Sequence, residues 1–379
     1  MWKVQLFKLN YDEREAKAVY DVVKSGWITM GEHTKKFEAD FNAHLEGKTK
    51  SVAVSSGTAA LHMAMLVLDL KPGDEVIVPS LTFVADINVV RMAGAKPVLV
   101  DCTSYSDWNA SPVDIAKKIT PKTKAVMVVH YAGYPCDMDP IKKICKEHNL
   151  CLIEDASHAV GARYKGELCG NLSDIACFSF FTNKNLSVGE GGMYVTADES
   201  FFKKGAYLRS HGMNALTLDR HQGRAISYDV MEPGLNYRID EMRAALGCIQ
   251  LDKLASANIK RKELTQRYLR SLKAIKGFTI PFIDYPNTEP SYHIFPILLD
   301  KGVDRLKVIE SLKNDGIQSS IHYPAFQEFT AYVKMNLNPT PIASDIANRE
   351  LTLPLYPTMT FEEVDMVVNS LRSAMEKNI

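Results

Sequence analysis

Nothing in this sequence leans to one charge: lysine plus arginine and aspartate plus glutamate number 45 each, and no long basic run interrupts the balance. Neither a nucleic acid nor an anionic membrane is therefore expected as the main partner. Long apolar runs are missing too, none approaching the ~20 residues that span a bilayer. The opening stretch MWKVQLFKLNYDEREAK becomes polar too early for a secretory signal, which places the chain in the cytosol. The seven cysteines (Cys102, Cys136, Cys145, Cys151, Cys169, Cys177 and Cys248) form no CxxC pair and leave an odd count, so small core residues are expected, not a disulfide framework or a zinc knuckle. The ten histidines show no HExxH or similar ligand spacing, and no metal is expected. Neither GxxxxGK[ST] nor a GxGxxG after a strand occurs, which counts against nucleotide hydrolysis and hydride transfer. Repeats and low-complexity segments are lacking as well.

What is present suits a large buried core: 379 residues, 46% of them hydrophobic. From Lys50 to Thr196, short β-branched runs alternate with amphipathic stretches, the pattern of parallel strands joined by crossover helices. Strands are predicted at 51–54, 75–79, 96–101, 124–130, 150–155, 175–180 and 192–196. Helices are predicted at 58–69, 85–93, 111–119 and 138–149. The spacing of Met242, Leu246, Ile249, Leu254 and Ile259 predicts one long helix, or two in series, over 241–274. Beyond it come a strand in YHIFPILLD, a helix over 303–315, a strand in IQSSIHY (317–323), a loop, and a final helix over 361–377. The fold class is therefore α/β, a mainly parallel central sheet sandwiched by helices, with residues 1–250 as the large domain and 251–379 as a smaller α+β domain. Ligands should gather at the carboxyl edge of the sheet.

In CFSFFTNKNLSVGEGGMYVT, a single lysine, Lys184, stands between an apolar run and the cluster Gly189, Gly191 and Gly192. An amine held near apolar groups loses charge stabilisation, and the free base can condense with a carbonyl or with pyridoxal phosphate. A solvated loop lysine is the commoner case for any lysine taken alone. Three other segments change that balance. SSGTAALHMA leads from a strand into a helix, where the amides of Gly57, Thr58 and Ala59 and the Thr58 hydroxyl suit a phosphate, although the same pattern serves as a plain N-cap. LCLIED ends in Asp155, placed to keep a pyridine nitrogen protonated, with His158 close enough to touch the same ring; a helix cap and a core histidine are the competing accounts. Phe83 in PSLTFVAD follows a strand end and can lie flat on an aromatic ring, or simply fill the core. In GLNYRIDEMRAALG, Asn236 and Arg238 precede a helix, and the guanidinium offers a planar fork to a phosphate or to an acidic neighbour.

Taken in order, SGWITMGEHTKKFE, SSGTAALH, PSLTFVA, EDASHAVGA, CFSFFTNKNLSVGEGG, LRSHGM, GLNYRIDEMRAALG, HYPAF and LPLYPTMT resemble the DegT/StrS-type pyridoxal phosphate-dependent sugar-nucleotide aminotransferases of fold type I over nearly the whole chain. The resemblance implies that Lys184 forms the Schiff base with the cofactor and shuttles a proton, and that Asp155 pairs with the pyridine nitrogen. It also implies that His158, at a position often glutamine in the family, contacts the ring oxygen, that Phe83 stacks on the ring, and that Gly57, Thr58, Ala59 and Ser179 cup the phosphate. Asn236 resembles a residue that reaches the neighbouring subunit's cofactor, so a homodimer with shared sites is implied. The expected reaction is a ping-pong transfer from an amino acid, L-glutamate for preference, to a nucleoside-diphosphate-linked keto-deoxysugar, at C4 in preference to C3. Thr29, Arg238, His322 and Tyr323 are the candidates for contacts to that sugar nucleotide. Relatives with histidine in place of the lysine carry out dehydration. A dehydratase or isomerase, a cyclitol aminotransferase and a non-catalytic sensor are the alternatives.

Overall fold

The computed structural model describes residues 2–214, 227–335 and 337–377. Its centre is a seven-stranded sheet: β1 (Lys50–Val54), β2 (Glu75–Pro79), β3 (Lys96–Val100), β4 (Thr123–Val129), β5 (Cys151–Asp155), β6 (Ile175–Ser179) and β7 (Gly192–Thr196). The spatial order is β1-β7-β6-β5-β4-β2-β3, and β7 alone runs antiparallel to both of its neighbours. Valine and isoleucine dominate these strands because both faces are covered, and every residue of β2 and β7 is buried.

Helices α3 (Gly57–Val67), α4 (Ala85–Met92), α5 (Pro112–Lys118) and α6 (Met138–His148) join the strands, and α7 (Glu199–Leu208) follows the last. One apolar layer, with Met63, Val78 and Tyr194, lies against α3 and α4. The opposite layer, with Phe41, Val126 and Phe178, is closed by α2 (Glu32–His44) and α8 (Glu241–Leu272). Ahead of α2, α1 (Glu13–Ser25) starts in a reciprocal box between Asp12 and Glu15 and stops at Gly26, whose φ of 76° suits a residue without a Cβ. The Glu241 carboxylate, buried at the start of α8, accepts from the backbone N–H groups of Gly31, His33 and Thr34 at 2.7, 2.7 and 2.9 Å and from Thr34 Oγ1 at 2.7 Å. An anion thereby satisfies the open donors at the N-terminus of α2.

The long helix predicted over 241–274 is one unbroken helix, so position 250 falls inside it and not in a linker. Its second half packs Leu264, Tyr268 and Leu272 into a separate core with β8 (Phe295–Leu299), α9 (Arg305–Asn314), β9 (Glu350–Leu353) and α11 (Phe361–Glu376). Val4 joins that core through a bridge to Ile317, tying the beginning of the chain to its last third.

Two expectations for this region fail. The segment 317–323 is not a strand: it makes only the Ile317 bridge and a bridge from Ser320 to Thr352, and the chain then turns so that His322 N–H donates to Glu350 at 2.7 Å. The expected loop after it contains α10 (Pro341–Arg349) and β9, whose acidic Glu350 is fully buried against the usual preference of such a residue. Among the described residues, no helix is long and apolar enough to cross a membrane. All seven cysteines are unpaired.

Candidate active site

At the carboxyl edge of the sheet lies a cavity of about 430 Å³, within the usual size of a cofactor or substrate pocket. Its wall begins where β1 ends. Ser56 caps α3 by accepting from Ala59 N–H at 3.1 Å, so the Ala59 amide serves the cap and Ala59 does not line the cavity. The expected three-amide cup narrows to Gly57 and Thr58 beside Ser179. Gly57 must be glycine: a Cβ there would stand 2.7 Å from Ser179 Cβ, so the α3 start and the β6 end touch through backbone. That close approach, at the positive end of α3, leaves a cradle suited to a phosphate.

Asp155 ends β5, 6% exposed, and accepts from Ser157 N–H at 2.9 Å. No helix follows it, which removes the helix-cap account. Its neighbour Glu154 points to the other face, as alternation along a strand requires. There Glu154 accepts from Gly170 N–H, Leu172 N–H and Ser173 Oγ and pairs with His130 Nε2. Cys169 lies near that pair, but the Glu154 oxygens are already engaged, and the cluster serves the fold.

Lys184 sits on the loop between β6 and β7, its N–H donating to Phe181 C=O at 2.8 Å. Asn185 fixes that loop from below: its side chain donates to Ser291 C=O at 2.8 Å and meets His293 Nδ1 at 2.9 Å. Lys184 keeps part of its surface open to the cavity, yet protein crowds the amine enough that desolvation lowers its pKa to about 8, although Asp155 and Asp86 pull the other way.

His158 lies in the wall with both ring nitrogens engaged: Nδ1 accepts from Ala132 N–H at 3.3 Å, and Nε2 is 3.0 Å from Tyr323 Oη. Burial and then the Lys184 charge hold His158 well below the usual histidine range, so the ring is neutral with its hydrogen on Nε2. The Tyr323 hydroxyl accepts that hydrogen and retains its own. His293 packs under His158 with ring centroids 4.3 Å apart. His322 also lines the cavity, its Nδ1 2.9 Å from Thr352 Oγ1, and burial lowers its pKa to about 3. Phe83 is 54% exposed at the rim, its ring 5.7 Å from that of Tyr323.

The fold thus brings together Gly57, Thr58, Phe83, Asp155, His158, Ser179, Lys184, His322 and Tyr323. Thr29 and Asn236 are exposed, Arg238 bridges to Val54 through its backbone, and none of the three lines the cavity of its own chain. Sequence reasoning missed Asp86, fully buried on α4 with Thr82 Oγ1 donating to its Oδ2 at 2.6 Å. Burial and then the charge of Asp155 push the Asp86 carboxyl well above the ordinary carboxylate range. An acid in the first turn of a helix usually answers the helix dipole, and no sequence signal separates Asp86 from that role.

A crowded amine, a buried carboxylate opposite it and an anion cradle between strand and helix are the donor set that pyridoxal phosphate requires, and the residues present fit that group. The site is that of a pyridoxal phosphate-dependent enzyme. Residues 10–372 match the model of the DegT/DnrJ/EryC1/StrS aminotransferase family, and the chain belongs to that family. It is 36% identical to the uncharacterized protein MJ1066 of Methanocaldococcus jannaschii over 97% of this chain and 96% of that one. Among solved structures it is similar to the aminotransferase TlmJ of Streptoalloteichus hindustanus, with 31% identity, a TM-score of 0.91, and 100% of this chain and 99% of that one covered. It is likewise similar to the PLP-form of Spr1654, a candidate sugar aminotransferase of Streptococcus pneumoniae, with 29% identity, a TM-score of 0.90 and 98% of each chain covered.

Proposed function

We propose that this enzyme moves the amino group of L-glutamate onto a keto-deoxysugar carried by a nucleoside diphosphate, at C4 in preference to C3, in two half-reactions at one site. The observation that carries the reading is Lys184: an amine with its pKa lowered to about 8 beside Asp155, on a cavity of about 430 Å³. When bound, pyridoxal phosphate supplies an aldehyde that takes up amines and a ring that draws electrons from the carbon they carry. Lys184 Nζ would hold the cofactor and, once free, would take and return the proton at the reacting carbon. The Asp155 carboxylate would keep a proton on the ring nitrogen. Gly57, Thr58 and Ser179 would receive the phosphate, Phe83 would cover the ring, and His158 would serve the ring oxygen.

Thr29, Arg238, His322 and Tyr323 are assigned to the sugar nucleotide. His322 and Tyr323 lie on the cavity already. Asn236 and Thr29, exposed and outside the cavity of their own chain, suit a cytosolic homodimer in which each copy completes its partner's site. Holoenzyme given L-glutamate should release 2-oxoglutarate, then aminate members of a panel of nucleotide-linked 3- and 4-ketosugars, read by mass spectrometry. Loss of water from the sugar with no 2-oxoglutarate would instead mark a dehydratase. Lys184→Ala should lose both half-reactions while keeping the fold, because a loop lysine contributes little to the core.

A further inference from the structure

Asp86, on α4, lies behind the cavity wall against Asp155, and none of the steps above uses it. The residue is completely buried, Oδ2 accepts from Thr82 Oγ1 at 2.6 Å, and Oδ1, also buried, meets no donor among the described residues. Its carboxyl group nevertheless lies within hydrogen-bonding reach of the Asp155 carboxyl. Two carboxylates in such contact, away from water, only repel, and a single proton between them turns the contact into a charge-assisted hydrogen bond.

We propose that Asp86 is a positioning residue that carries a proton on Oδ1 and donates it to the Asp155 carboxylate, so that the two acids hold one negative charge on the carboxylate that would meet the ring nitrogen. The proposal rests on the reading of Asp155 as partner of the ring nitrogen. Its consequence is geometric: with Ser157 N–H on Oδ1 at 2.9 Å and the Asp86 hydroxyl beside it, Asp155 is held by donors from two elements and meets the ring in one orientation. The other titratable groups facing the pair are Lys184, Cys177 on β6 and Tyr323. Burial pushes the Cys177 thiol and the Tyr323 phenol well up, so both stay neutral, and the pair answers to the Lys184 amine alone.

Infrared spectra of the full chain, parent against Asp86→Asn, test the idea directly. At pH 7 the parent protein should show the C=O stretch of a protonated carboxylic acid that vanishes in Asp86→Asn; any band from Glu350, which burial raises to about 8, persists in both proteins. Asn retains a donor toward Asp155, so Asp86→Asn should bind pyridoxal phosphate within about threefold of the parent, whereas Asp86→Ala should bind about tenfold more weakly. Identical carboxylic-acid bands in parent and Asp86→Asn, or parental affinity in Asp86→Ala, would overturn the proposal. Should Asp86→Ala fail to fold, the spectrum of Asp86→Asn decides. Borohydride labelling of Lys184 in the parent separates the two readings: label present with a silent Asp86 removes only this inference, and label absent removes the cofactor assignment beneath it.

Discussion

Lys184 has a chemical signature that does not depend on the sugar. With a pKa near 8 in place of 10.5, most of the amine is protonated at pH 7 and most is free base at pH 9. In cofactor-free protein, the rate of Lys184 acylation by a small reagent, followed by peptide mass spectrometry, should therefore rise with a midpoint near pH 8. A midpoint near 10.5, shared with surface lysines, would show that the cavity does not desolvate the amine. Much at this scale was legible because Lys184 stands between an apolar run and a glycine cluster and Asp155 ends a strand, both features of the local sequence. The contact of His158 with Tyr323 joins positions 165 apart, and that of Asp86 with Asp155 crosses from α4 to β5. No local pattern announces contacts that only the folded chain creates.

At the scale of elements, the seven central strands were readable because burial on both faces forces near-continuous β-branched runs. The errors gather where polar groups hold the backbone. Glu350 interrupts the apolar pattern of β9 and instead serves His322 and Thr352. Glu241, in the first turn of α8, likewise holds backbone, at the start of α2. Glu241→Ala would leave three backbone N–H groups and the Thr34 hydroxyl without their acceptor. The expected loss is about 3 kcal/mol of unfolding free energy in denaturant titration, with partial recovery in Glu241→Gln. A change below about 0.5 kcal/mol would mean that water replaces the carboxylate at no cost.

For the whole molecule, the central sheet and the core built on β8 and β9 share α8, and the beginning of the chain is sewn into the second core through Val4. We propose that 1–250 and 251–379 act as two units about that helix. Limited proteolysis should then cut outside α8 and leave it whole. Association is the larger question, because Asn236 lies outside the cavity of its own chain. Light scattering should give twice the mass of one chain, and Asn236→Ala should weaken cofactor binding without altering that mass. A monomer with full affinity for the cofactor would confine the site to one chain.

The most direct trial of the account is chemical. Holoenzyme reduced with borohydride, digested and mapped by mass spectrometry should carry a pyridoxyl group on Lys184 and on no other lysine. A label elsewhere, or none, would contradict the claim that this amine holds the cofactor.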